Sequence, residues 1–320
     1  MALTQYESQL EGYMAAEVND NIFVNNPQMP IIKSDADASF SQGNLWKTRH
    51  LVEDTSTWQI PTANTDAGLS AYSSDAQYLP VLRRGHFLKL GDAEALRDGA
   101  SNVLENTGIL FARHFASNFE NVLFNRVIPS VMSGCASGTH WNNMSSSAFD
   151  WDYVMQKIYT TENASSIKYV FMHPDVANGV SLWNTLDTPS TTQTTPIKPF
   201  GGAKLVGQKN GLYIFVSSLL HKTGTVYQTV AMGDGAILFD YQSKDYGVKI
   251  FEDQRHEMGA TISKYLASFS VGINGISYGG SPTALGGASD AEIGTASNWS
   301  KLTNIRSNQI PVVAVDSLAS

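Results

Sequence analysis

Ile167-Lys168-Tyr169-Val170-Phe171-Met172-His173-Pro174-Asp175-Val176 is the stretch on which the reading of this 320-residue chain turns. Its first six residues are a short apolar run with β-branched and aromatic side chains, the composition of a buried strand. His173-Pro174-Asp175 then makes a turn, since proline fixes its own φ and suits the first turn of a helix. Residues Pro174 to Leu186 carry the helix that this turn starts. A strand that feeds directly into a helix signals mixed structure around a sheet.

Working outward strengthens that reading. Phe149 to Tyr159 has helical character upstream of the strand. Downstream, Thr188 to Lys198 is a polar, threonine-rich loop holding Pro189 and Pro196. Strand-like alternation resumes in Ala203–Val206, Leu212–Val216, Thr225–Met232, Ala236–Tyr241, Val248–Glu252 and Thr261–Ile276, punctuated by glycines. This order assigns the chain to the α+β class. After Gly279-Gly280-Ser281-Pro282 the sequence is rich in Gly, Ala, Ser and Thr, with apolar anchors at Trp299, Ile310–Val315 and Leu318.

Toward the N-terminus the strongest helix signal runs from Asp92, a capping residue, to Ile128, just before Pro129. Val103, Leu104, Phe111, Phe115, Phe119, Val122 and Leu123 keep the spacing of one buried face. A Gly/Ser-rich linker, Ser133 to Ser147, separates this helix from the region that begins at Phe149. Ser39 to Leu90 reads as a long β-loop: strand-like pieces at Trp46–Val52 and Thr55–Ile60, a polar turn-prone middle at Thr62–Asp75, and a returning run at Gln77–Leu90. Leu3, Tyr6, Leu10, Met14 and Ala15 mark a short amphipathic helix, followed by irregular chain at Asn25-Asn26-Pro27 and Met29-Pro30. That segment is either an arm reaching to a neighbour or one folded back on its own domain.

Composition limits the function. Hydrophobic residues at 42% can build a core, while charged residues reach only 16%, well under the roughly 25% of an average domain. Charge depletion fits a surface shared with neighbours, and an ordinary Gly/Ser/Thr-rich globular protein equally. A net charge of −8 argues against specific nucleic-acid binding, though not against standing beside nucleic acid. The single cysteine, Cys135, allows no intrachain disulfide. No secretory signal opens the chain and no apolar run is long enough to cross a bilayer.

Catalytic patterns fail on context. Gly275-Ile276-Ser277-Tyr278-Gly279 fits a nucleophile elbow, but that motif needs a helix after the serine and a histidine later in the chain. Gly280-Ser281-Pro282 follows instead, and the last histidine, His256, lies upstream. His256-Glu257 opens like a zinc-protease helix but position 260 is Ala260. His50, His86, His114, His140, His173, His221 and His256 show no metal-ligand spacing. Neither phosphate-loop nor dinucleotide-binding glycine patterns occur. The sequence thus assigns no catalytic residue, cofactor or metal, and reads as a non-enzyme.

Several segments, in order, resemble those of tailed-bacteriophage major capsid proteins: Val170–Val176, Pro199–Val206, Met232–Ile237, Phe251–Glu257 and Phe269–Tyr278, with the long helix around Arg113 and Phe119–Leu123 upstream. The resemblance covers about Leu90 to Trp299. It implies the Hong Kong 97-like fold: an N-terminal arm over 1–38, an extended β-loop over 39–91, a peripheral domain with a spine helix over 92–147, an axial domain around a central sheet over 148–235, return strands over 236–280 and a C-terminal tail over 281–320. It further implies self-assembly as hexamers and pentamers into an icosahedral head around double-stranded DNA. The expected partners are copies of itself, a portal, a separate scaffolding protein (since little chain precedes the loop) and decoration proteins, with no membrane. The expected place is the virion capsid, assembled in host cytoplasm. An encapsulin-type nanocompartment shell is the alternative. Trp46, Trp58, Arg83 and Arg84 are the candidate subunit-interface residues, because interfaces enrich aromatics and arginine; ordinary local packing is the competing account of all four.

Overall fold

The structure is a computed structural model that describes residues 32–33, 39–40, 44–52, 73–91, 114, 117–135, 142–162, 164–182, 185–186, 203–241, 248–253, 260–282, 286–303 and 305–319. The described chain opens with β1 (Ile32–Lys33), β2 (Ser39–Phe40), β3 (Leu45–Val52) and the 19-residue β4 (Ser73–Gly91). A helix, α1, runs through residues 117–135. Then come β5 (Asn142–Ala148), α2 (Trp151–Tyr159), β6 (Ile167–Met172), α3 (Pro174–Gly179), β7 (Lys204–Lys209), β8 (Leu212–Val216), β9 (Lys222–Thr223) and β10 (Val226–Gly233). The remainder is β11 (Ile237–Tyr241), β12 (Val248–Asp253), β13 (Ala260–Ile273), β14 (Ile276–Tyr278), α4 (Asp290–Ile293), β15 (Trp299–Lys301) and β16 (Val312–Leu318).

The strand that anchors the sequence reading, β6, lies inside a mixed sheet of order β5-β16-β10-β6-β8-β7, with β9 added to β10. Alternation divides its side chains between two cores. Tyr169, Phe171, Phe215, Val230, Met232, Val312 and Ala314 face the core that holds α1. Val170, Met172, Ile214, Ala231, Val313 and Val315 face the core built by Val154, Met155 and Ile158 of α2 and Val176 and Ala177 of α3. A sheet covered on both faces needs near-continuous apolar strands, and that is why these runs show little polar alternation. Phe171 and Phe215 stack at 5.1 Å on the α1 face. Burial of each such ring contributes about 2–3 kcal/mol.

The second sheet, β1-β11-β13-β4-β3-β2 with β12 also on β13, is joined to the first by α1. Phe119 packs edge-on against Phe239 of β11 at 4.8 Å and lies 6.3 Å from Phe269 of β13. Five residues on, Phe124 lies 5.4 Å from Phe171 of β6. One helix therefore binds a residue of each sheet into a single core.

Several sequence expectations need correction. The helix does not stop at Pro129 but continues to Cys135, after a π-helical turn at Leu123–Val127. The wide turn, closed by Ile128 N–H donating to Leu123 O, relieves the clash a proline ring makes with the carbonyl four residues back. Asn125 holds the widened turn by donating to Leu219 O at 2.7 Å. The expected linker contains a strand, β5, paired in parallel with β16; a polar Asn/Ser run carries almost no strand signal of its own. The helix after Pro174 ends at Gly179, and Ser181 takes a positive φ of 48° that breaks it. The run to Ile276 divides at Asn274-Gly275, where Gly275 has φ 89°. β4 starts at Ser73, inside the expected polar turn, because its backbone pairs with Val52.

The largest correction concerns residues 281–320, expected as a tail. β16 sits between β10 and β5 with all of Val312–Val315 buried. The expectations for 1–18, Thr55–Ile60, most of the helix before residue 117 and the 188–198 loop lie outside the described residues.

Because β16 is an inner strand, Val313→Asp places an unpaired charge between sheet and helices. Its expected cost is more than about 3 kcal/mol, read as a drop in thermal midpoint, and a chain truncated after Pro311 should lose cooperative melting altogether.

Candidate functional site

The base of the β3–β4 hairpin collects the residues with the longest-range polar contacts. β4 holds two partners in succession: β3 along Ser73–Pro80, then β13 along Val81–Gly91. The exchange occurs at Pro80, whose missing N–H suits the end of a ladder. Beyond β3 the vacated edge is taken by Gly287, bridged to Leu82, with Ala288 N–H donating to Val81 O at 3.0 Å. Gly287 has φ 73°, and a Cβ there would lie 2.1 Å from Val81 O, so the approach demands glycine.

Gln77, fully buried, fixes this base to the rest of the sheet. Its Nε2 donates to Ile273 O at 2.8 Å and Ile276 O at 2.7 Å, and its Oε1 accepts from Gly275 N–H at 3.2 Å. One side-chain amide thus replaces the ladder that the Asn274-Gly275 turn interrupts. Next to it Ser277 Oγ accepts from Tyr78 N–H at 3.0 Å.

The four sequence candidates fall in different places. Trp46, opposite Leu79 in register, is completely buried by its own chain, in keeping with local packing. Arg83 donates to Asn44 Oδ1 at 2.7 Å, and Asn44 donates in turn to Pro282 O at 2.9 Å. Arg84 donates to Ala288 O at 3.3 Å and pairs with Asp290 at 2.5 Å. The two arginines hold Pro282, through Asn44, and residues 288–290 against the hairpin base. Arg84 and Asp290 are 30% and 51% exposed, so their pair contributes about 1 kcal/mol or less. Trp58 lies outside the described residues. Sequence reasoning missed Gln77, Asn44 and Gly287. The Asn-Gly pair at 274–275 was a legible turn signal, whereas nothing local marks a glutamine that acts across the fold.

The chemical candidates have structural duties. Ser277 lies in β14, paired with Ser300 of β15, with its oxygen engaged by Tyr78. Cys135 is buried at the end of α1, where burial pushes its thiol up despite the lowering effect of Lys301; a thiol held protonated is a poor nucleophile. His114 is exposed on the helical segment, and His256 and His140 lie outside the described residues. Among the described residues no cluster of three or more His, Cys, Asp or Glu is placed to hold a metal.

No protein-family profile matches the chain, and no curated protein does. Solved structures do match. The chain is similar, at 10% identity and TM-score 0.54, to a chain of the head structure of Helicobacter pylori bacteriophage KHP40, covering 93% of this chain and 92% of that one. It is similar at 9% identity and TM-score 0.54 to a chain of the acid-stable capsid of Helicobacter pylori bacteriophage KHP30, covering 93% and 91%. A chain from the capsid of Ralstonia phage GP4 matches at 10% identity and TM-score 0.53, covering 91% and 87%. Over nine-tenths of its length this chain has the fold of phage head and capsid chains.

If Gln77 bridges the interrupted ladder, Gln77→Ala leaves Gly275 N–H and two carbonyls without it and costs about 2–4 kcal/mol. Chemical denaturation checks this; a loss under about 0.5 kcal/mol would show that the amide is dispensable. Native Cys135 should also resist alkylation at neutral pH and react only on unfolding, as a thiol titration with and without denaturant would show.

Proposed function

We propose that the chain is the major capsid protein of a tailed phage, a structural subunit and not an enzyme. Copies assemble as hexamers and pentamers into the icosahedral head around double-stranded DNA. The observation that carries this reading is a fold shared with phage head and capsid chains over about nine-tenths of both partners. The low charged fraction, 16%, agrees with a subunit that gives much of its surface to neighbours. Because the matched structures are phage heads and capsids, the reading is favoured over an encapsulin shell.

Within the proposal the segment 39–91 is the extended loop that overlies a neighbour, 1–38 the arm beneath another, 92–147 and 236–280 the peripheral parts, and 148–235 the axial domain. The segment 281–320 acts as a strap rather than a tail, since β15 and β16 pair within the body. Trp46, Trp58, Arg83 and Arg84 are the proposed loop-side residues, of which Trp46 is buried within its own chain and so acts as a packing anchor. A portal, a separate scaffolding protein and decoration proteins are the further partners, and a net charge of −8 keeps the wall from adhering to packaged phosphates. The proposed place is the virion, built in host cytoplasm. No helix among the described residues is long and apolar enough to cross a membrane.

Expression of the chain alone and with its neighbouring genes, followed by negative-stain electron microscopy, tests this. Closed shells or capsomer-sized rings are expected, with DNA rather than protein cargo in complete particles. A monodisperse monomer under both conditions overturns the proposal.

A further inference from the structure

At the C-terminal end of β6 four side chains meet, one from the turn before α3 and one each from α3, β9 and β10. His173 caps α3: its Nδ1 accepts from Asp175 N–H at 3.2 Å. That role needs a lone pair on Nδ1, hence a neutral ring with its proton on Nε2. The Asp175 carboxylate accepts from Tyr227 Oη of β10 at 2.7 Å, and its Oδ2 lies 3.6 Å from Lys222 Nζ of β9 and 3.4 Å from His173 Nδ1. The His173 and Tyr227 rings lie 4.8 Å apart, and Lys222 Nζ sits 4.6 Å over the Tyr227 ring. Asp175, Lys222 and Tyr227 are the titratable groups that face the imidazole from α3, β9 and β10. The cap of α3 and the β9–β10 hairpin are thus joined through one carboxylate oxygen.

We infer that His173 is a proton-operated latch that ties α3 to the β9–β10 hairpin when neutral and loosens both when protonated. A proton on Nδ1 ends its acceptance from Asp175 N–H, so the cap is lost. The same proton makes Nδ1 a donor aimed at Asp175 Oδ2, in competition with Tyr227 Oη for that oxygen. The imidazole is only 12% exposed, and burial lowers its proton affinity more than Asp175 raises it, with Lys222 opposing protonation as well. A depressed folded value means the neutral form is the one folding favours. Its stabilisation is complete above the unfolded value of about 6.5 and is lost as pH falls from there through the folded value. The inference concerns the subunit by itself and does not rest on the assembly reading.

The test is amide hydrogen exchange on the full chain, read by mass spectrometry at about pH 7.5 and about pH 5 and corrected for intrinsic exchange. In the wild type, exchange in α3 and in β9–β10 should rise about fivefold at the lower pH, the equilibrium worth of one N-cap. His173→Asn keeps a capping acceptor without the titration and should abolish both steps. Tyr227→Phe should keep the α3 step and remove the hairpin step. Equal protection at both pH values in the wild type, an unchanged step in His173→Asn, or a retained hairpin step in Tyr227→Phe would each overturn the latch.

Discussion

The fold depends on one strand that has two partners. β4 is 19 residues long and gives its first part to β3 and its second to β13, so the hairpin and the body are the same sheet. Such a strand has a weak point where the partners change, since the ladder on one edge ends before another begins. Gln77 removes that weakness by placing an amide, with its own donor and acceptor, where backbone groups near Gly275 lack ladder partners. Buried backbone groups must be paired somewhere, and here a side chain from 196 residues away pairs them. The hairpin is therefore part of the folded body at its base, whatever lies at its tip.

The other half of the architecture is a sheet hidden on both faces, and its helix makes a compromise to hide it. α1 must present Phe119 to one sheet and Phe124 to the other. A regular α-helix puts residues five apart well around the cylinder, on different faces. The π turn at Leu123–Val127 lies where the helix passes from one sheet to the other, and it also makes room for Pro129. Packing on two surfaces and a proline inside a helix are accommodated by the same local widening.

Strongly apolar elements were legible in the sequence. Ile167–Met172 and Leu212–Val216 are strands with the expected bounds, because each is a short, mostly apolar and mostly buried run rich in β-branched and aromatic residues. Elements held by long-range pairing were not legible. β5 is an Asn/Ser run that becomes a strand only because β16 arrives beside it. β16 looked like an anchor in a tail because its Gly/Ser-rich approach hides the fact that Val312–Val315 faces two cores. At the hairpin base Arg83 and Arg84 were visible as residue types, but their partners Asn44, Ala288 and Asp290 are distant in sequence or ordinary in type. Trp46 illustrates the same limit from the other side: an aromatic residue in a strand reads alike whether it faces a neighbour or its own core.

Sparse charge follows from where the charged pairs stand. Arg84 with Asp290, Lys168 with Asp234 at 2.5 Å, and Arg306 with Glu162 at 2.9 Å each join segments far apart in the chain. All are partly exposed, so each contributes about 1 kcal/mol or less to stability. Their effect is on register: a cation on one segment admits the other segment in one alignment and opposes its neighbours. A chain whose strands are apolar on both faces has many near-equivalent ways to slide, because one hydrophobic face resembles the next. A few charges at the ends of strands and turns select among them without occupying the surface between. That surface can then stay low in charge.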